Sequence, residues 1–308
     1  MKKFFLLSLI VLSINVIALE PNPPTWPTTV SLFLDDSAPA QAAAQMEIDA
    51  VYATNGGPGK HGQFTGSPHA FLFGPGNFNT LNVRVGYYTS VIGLGETPDN
   101  TIIQHVHQSD IAYGSSGIPK VLDMFWRSAE NFKQGQDSLT WAVSQAAPLR
   151  SVHAKEVSLS KDGAEASGGF FANCQFDVSV STETQQQWCA RNSFIGQLSA
   201  NNISNMVLVG CTFGQTASGP HLTFITQTPA IAEKPYITID TNGFYYLQVP
   251  TVKFATSGPS YNSDATSHSF TGVYVASDTD PVATINAKID EGNHVILTPG
   301  TYNLRVFT

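Results

Sequence analysis

The chain has 308 residues, of which 42% are hydrophobic and only 12% charged, with 25 glycines and 18 prolines. That is ample for a core, and the scarcity of charge suits a β-rich extracellular protein. The formal charge of -8 argues against nucleic acid or an anionic membrane as partner.

Lys2 and Lys3 precede an apolar run from Phe4 to Ile17 that ends in the small-residue cleavage site Val16-Ile17-Ala18. This is the pattern of a secretory signal peptide over residues 1–18. The run of about 14 residues falls short of the ~20 that cross a bilayer. The mature chain is therefore expected to be secreted, without a membrane anchor. Residues 19–36 are Pro-rich and read as an extended arm. Ser37 suits a helix cap, and Asp35-Asp36 suits charge at the helix start. Ala40 to Ala53 then supplies a helix whose Met46, Ile48 and Val51 are available to cover the open end of a repeating core.

Residues 37–230 carry that core. Apolar runs recur from Phe71 onward, and three segments can be laid over one another: Phe170 to Phe176, Trp188 to Phe194 and Val207 to Phe213, each ending in Phe, at intervals of 18 and 19 residues. At the two-residue period of a strand, the inward face would carry Phe170, Ala172, Cys174 and Phe176, then Trp188, Ala190, Asn192 and Phe194, then Val207, Val209, Cys211 and Phe213. A repeat of about 20 residues is too short for a closed domain and points to a solenoid. Residues 231–280 change style. Tyr236 to Asp240, an Asn242-Gly243 turn and Phe244 to Val249 make a hairpin, read as part of a β-rich bridge. Residues 281–308 return to the earlier pattern.

Phe71 to Val83 (FLFGPGNFNTLNV) and Val295 to Val306 (VILTPGTYNLRV) share Pro-Gly, an aromatic two residues later, Asn, Leu and Val. Each follows a helix-like segment, Ala42 to Ala53 and Ala283 to Ile289. This order resembles the start of right-handed, single-stranded parallel β-helices of the pectin-lyase-like superfamily. Its double occurrence resembles the tandem arrangement of glycoside hydrolase family 55, secreted β-1,3-glucanases with two coils side by side. Tyr87 to Gly95 and Phe125 to Asn131 are also similar to secreted microbial proteins of that architecture. The resemblance implies an all-β fold with an N-terminal capping helix, a first parallel β-helix and the start of a second. It implies action on an extracellular or cell-wall polysaccharide and no cofactor. In that family the active site lies between the coils, with the acid contributed by the second. No catalytic residue carries over onto this chain, which on its own is expected to be nearly inactive. The alternative is a non-catalytic carbohydrate-binding or matrix protein. A calcium-dependent lyase would want clustered Asp beside an Arg, which is not evident.

Glycoside cleavage needs two carboxyl groups about 5 to 9.5 Å apart, and stacked strands lie about 4.8 Å apart, so neighbouring laps can supply them. The candidates are Glu130, Asp123, Asp110 and Asp177. Alignment on Phe132 places Glu130 at an inward position; either the alternation breaks there at a bend, or Glu130 is buried against Arg127 or Arg150. Trp126, Arg127, Tyr87 and Tyr88 are candidates for contact with a sugar. His105, His107 and Asp110 lack a clear third metal ligand among them, and no metal is expected. Asn202 heads the only glycosylation sequon, Asn202-Ile203-Ser204. The three cysteines are expected to remain unbridged, since Cys174 and Cys211 sit two laps apart, beyond the roughly 7 Å limit for bridging.

Overall fold

One strand per lap stacks on the strand of the lap before it. In the structure, a computed structural model describing residues 19–57, 62–113, 117–200, 202–261 and 264–303, nine strands form one continuous parallel ladder. The signal expected over residues 1–18 lies outside the described residues. The front ladder runs Val30–Phe33, His69–Phe73, Thr89–Gly93, Ser128–Gln134, Leu149–Ser158, Phe170–Ala172, Gln187–Arg191, Asn205–Val209 and Leu222–Ile225. A side ladder joins Gly76–Arg84 and Thr101–His107 to the later halves of Ser128–Gln134 and Leu149–Ser158, and continues through Gln175–Ser181, Phe194–Ile195 and Thr212–Phe213. The fold is a parallel β-helix.

Register puts Phe71, Val91, Ala129, Leu149, Phe171, Ala190 and Leu208 in one inward column. Each is at most 1% exposed. At about 1.5–3 kcal/mol per large side chain buried, such a column outweighs any single polar contact on the surface.

The expected inward faces need correction, and the cause is local. Where front ladder turns into side ladder, Asn131, Ser151, Asn173, Asn192 and Gly210 stack as corner residues with φ of 55°, 49°, 54°, 44° and 59°. A left-handed residue takes one position out of the alternation, so the inward parity flips across every corner. Phe171, not Phe170 or Ala172, is inward before the corner, and Cys174 and Phe176 are inward after it. Met206 and Leu208 replace Val207 and Val209. The side column is Phe176, Ile195 and Phe213, while Phe194 pairs outward with Gln175 and Thr212. Asn suits these corners because it tolerates the left-handed region and satisfies nearby backbone. The Asn131 amide donates to the carbonyls of Gly93 and Gly95 at 2.9 and 2.7 Å.

Helix α1, Ala38–Asn55, covers the first lap through Ala44, Ile48 and Tyr52. Met46, expected on that face, points to solvent at 76% exposure. Strands Tyr236–Ile239, Tyr245–Pro250 and Ala265–Ser269 form an antiparallel sheet. It packs on the outside of the first laps through Tyr245 and Leu247 against Leu72, Ile92 and Leu94, joined by Phe270 and Val273. The Pro-rich arm straps across this contact. Asn22 bonds both backbone groups of Tyr245, and Trp26 sits edge-on to Tyr245 and Phe270.

The strand Val273–Ala276, inside the stretch expected as bridge, already belongs to the second unit. It pairs in parallel with His294–Leu297 across helix α2, Val282–Asp290. Cys174, Cys189 and Cys211 are free thiols. Among the described residues no helix is long and apolar enough to cross a membrane.

Candidate functional site

A cleft of about 950 Å³ lies between the outer face of the front ladder and the later elements. One wall comes from Ala70, Leu72, Ser90, Ile92, Ser128 and Glu130. The other comes from Ile237, Leu247 and Val249 of the antiparallel sheet and from the segment His294 to Gly300.

The Asn131 corner turns Glu130 out of the core and onto this wall, in register with Ile92 and Arg150. Its partner is neither Arg127 nor Arg150. Lys234 donates to both carboxylate oxygens at 2.6 and 2.8 Å. Only 12% of the Glu130 side chain is exposed. Beside it Glu233 accepts from Arg191 at 2.6 Å. Burial pushes the Glu233 carboxyl above its usual range, against the opposing pull of Arg191 and Arg150. Glu130 and Glu233 both line a small cavity of about 40 Å³ with Arg150 and Tyr261, space enough for water. Arg150 lies over the Phe170 ring at 4.9 Å.

Of the residues expected to touch a sugar, Arg127 lines the cleft, as do Tyr88 and Trp126. Their rings stack at 5.4 Å and 20°. Tyr87 lies off the cleft, and Arg127 reaches it only as a buried wall residue. Tyr87 is fully buried and donates to the Asp123 carbonyl at 2.6 Å. Arg127 is 3% exposed, donates to the Val85 carbonyl at 2.6 Å and lies over the Tyr87 ring at 4.4 Å. Burial lowers its guanidinium to about 10. Arg127 faces inward because the residue after left-handed Trp126 begins a new inward alternation, whereas Tyr87, which precedes Tyr88, is buried with Val121 and Met124.

Asp110 also stands apart from the cleft. It accepts from Tyr52 of helix α1 and pairs with Arg84 at 3.4 Å, fastening the cap to the coil. Asp123 sits in the turn before Met124 and is not on the cleft wall. His105 and His107 stack at 4.1 Å, and His107 is held by Asn82 and Ser109. Asn202 is exposed on a turn whose Ile203 is buried. Glu233, Lys234 and Tyr236 were missed, because they fall in a segment read as connection. The only signal there was an adjacent Glu-Lys pair in a stretch otherwise poor in charge.

No family model matches the chain. Over 275 residues it is 33% identical to an exo-beta-1,3-glucanase of Streptomyces sp. (strain SirexAA-E / ActE), a match covering 86% of this chain and 44% of that protein. Its fold superposes on the structure of sacteLam55A from Streptomyces sp. SirexAA-E with a TM-score of 0.81 and 32% identity, over 92% of this chain and 51% of that one. The E502A variant of sacteLam55A in complex with glucose gives a TM-score of 0.79 at 30% identity, over the same shares. The chain spans about half the length of these relatives. Fold and sequence together make it a parallel β-helix like that of glycoside hydrolase family 55.

Proposed function

We propose that this chain serves the hydrolysis of a β-1,3-glucan outside the cell, holding the saccharide in the cleft between the front ladder and the antiparallel sheet. The observation that carries this reading is the carboxyl pair Glu130 and Glu233 on one small cavity at the cleft wall. Glycoside hydrolysis asks for one carboxyl that keeps its proton and a second that is ionised. Glu233, pushed up by burial, suits the acid. Glu130, held in a bidentate bond by Lys234, suits the carboxylate. The Streptomyces relative, an exo-beta-1,3-glucanase, supports the choice of linkage.

Binding without cleavage is the second reading. It is favoured by the pairing of both carboxyls with cations, Glu130 with Lys234 and Glu233 with Arg191, which leaves neither free to meet a substrate without rearrangement. The test measures laminarihexaose binding by calorimetry and reducing-end release from laminarin for the wild-type chain, Glu233→Gln and Glu130→Gln. Release that both substitutions reduce by about 100-fold or more supports hydrolysis here. Binding with no release supports the second reading. Neither binding nor release removes both.

A further inference from the structure

A second column of corners runs along the edge where each lap enters the front ladder. Extending the paired register by two or three residues aligns Tyr88, Trp126, Ala146 and Gly168. Two hydrogen bonds tie successive members together: the Tyr88 amide donates to the Trp126 carbonyl at 2.6 Å, and the Arg127 amide to the Ala146 carbonyl at 3.3 Å. All four are left-handed, with φ of 53°, 55°, 55° and 125°.

The corners between front and side ladder carry Asn, Ser or Gly, which bear the left-handed region at low cost. A tyrosine and a tryptophan there are costly, and strain of this kind gathers where it serves a ligand. The tryptophan is also 45% exposed, whereas Trp141 and Trp188 are at most 3% exposed. Tyr88 takes one side of the indole, and its own hydroxyl is tied to the Gln63 carbonyl at 2.6 Å, so the pair is set before any ligand arrives.

The next corner, Ala146, is exposed and removes side chain where a third ring would stack. Ala146 offers only a methyl, and the buried Gly168 closes the column one lap further on. Laps are spaced about 4.8 Å apart, close to the separation of stacked rings. The step above Trp126 therefore has the height of one flat ring, and Trp126 itself lines the cleft.

We propose that Trp126, backed by Tyr88, is a stacking subsite for the apolar C–H face of a single hexopyranose ring, seated on the step over Ala146. It extends the function proposed above by assigning a sugar-binding position that uses no charged group. Because the subsite is apolar, its contribution should not change with the protonation of Glu130 or Glu233.

The test oxidises the intact chain with N-bromosuccinimide and follows indole absorbance, with laminarihexaose, cellohexaose or chitohexaose as protectant. Trp126→Asn is the companion variant, since Asn suits the left-handed corner and should keep or raise the melting temperature. One indole should react fast in the wild type, be absent from that phase in Trp126→Asn, and be protected by hexasaccharide. Hexasaccharide affinity should fall about tenfold in the variant, the scale of one aromatic contact. Protection by cellohexaose or chitohexaose alone upholds the subsite and overturns the β-1,3 linkage. No protection by any of the three, or unchanged affinity in a folded Trp126→Asn, overturns the subsite.

Discussion

The molecule builds the same strand–helix–strand unit twice. Val30–Phe33, helix α1 and His69–Phe73 form the first. Val273–Ala276, helix α2 and His294–Leu297 form the second. Both pair their strands in parallel, and both close with the same device. Asp36 accepts from the amide of Asn77 at 2.8 Å, and Asp278 accepts from the amide of Thr301 at 3.1 Å, each directly after a Pro-Gly. A Cβ on Gly76 or Gly300 would press on that same Asp side chain, so the glycine is needed for close approach. What differs is what lies on the strand. Phe71 and Phe73 are at most 1% exposed beneath later laps, whereas Leu297 is 51% exposed. One local code thus yields a core in one place and a cleft wall in the other. Burial by neighbouring laps, not the unit itself, sets the stability of each copy.

The largest effect should separate the copies outright. Phe73→Ala removes a fully buried ring packed on Phe33 and Phe78 at 4.9 and 5.3 Å, and should cost about 3–5 kcal/mol. Leu297→Ala should cost less than about 1 kcal/mol. Equal losses in urea denaturation would show that the second unit is as tightly packed as the first.

Acid should act next, and mainly on the first coil that buries the first copy, not on the second copy. Burial, with His105 beside it, lowers His107 to about 4 from the ordinary 6.5. The folded state thus resists a proton that the unfolded chain accepts. The contribution is full above about pH 6.5 and is lost as pH falls toward 4, by on the order of 3 kcal/mol at the acid limit. His294, half-exposed beside His268 at 4.4 Å, is lowered by burial in the same direction. His107→Gln should flatten most of the fall in urea midpoint between pH 7 and pH 5, and His294→Gln little of it. The reverse ranking would place the acid-sensitive element in the second unit.

The smallest effect probes what the copies share. Asp36→Ala should raise amide exchange at Asn77, and Asp278→Ala at Thr301, each roughly fivefold for the loss of one hydrogen bond. Response at only one of the two amides would show that the matching Pro-Gly turns are not equivalent in solution.

Much of this architecture was legible in the sequence. The ~20-residue recurrence, the two Pro-Gly units and the Asn-Gly hairpin specify elements through contacts close along the chain. The wrong inward assignments for Phe170, Val207 and Phe194 came from carrying a strict two-residue period through Asn173, Asn192 and Gly210. Nothing in an isolated Asn announces a left-handed corner; it becomes visible once several such residues line up across laps.

The site was less legible for a related reason. Glu130, Tyr88 and Trp126 could be picked out as candidates because they stand beside apolar runs in the first coil. Tyr87 and Arg127 looked equally suitable, and only a one-residue difference in facing sends them into the core. Glu233 and Lys234 meet Glu130 across a hundred residues of chain. Local sequence therefore determined the repeat, the caps and the turns, whose energetics are settled between neighbours in the chain. The tertiary structure alone decided which face each strand presents and which carboxyls and aromatic rings share a cleft. Those depend on corner geometry and on the packing of one unit against another, and neither has a short-range signature.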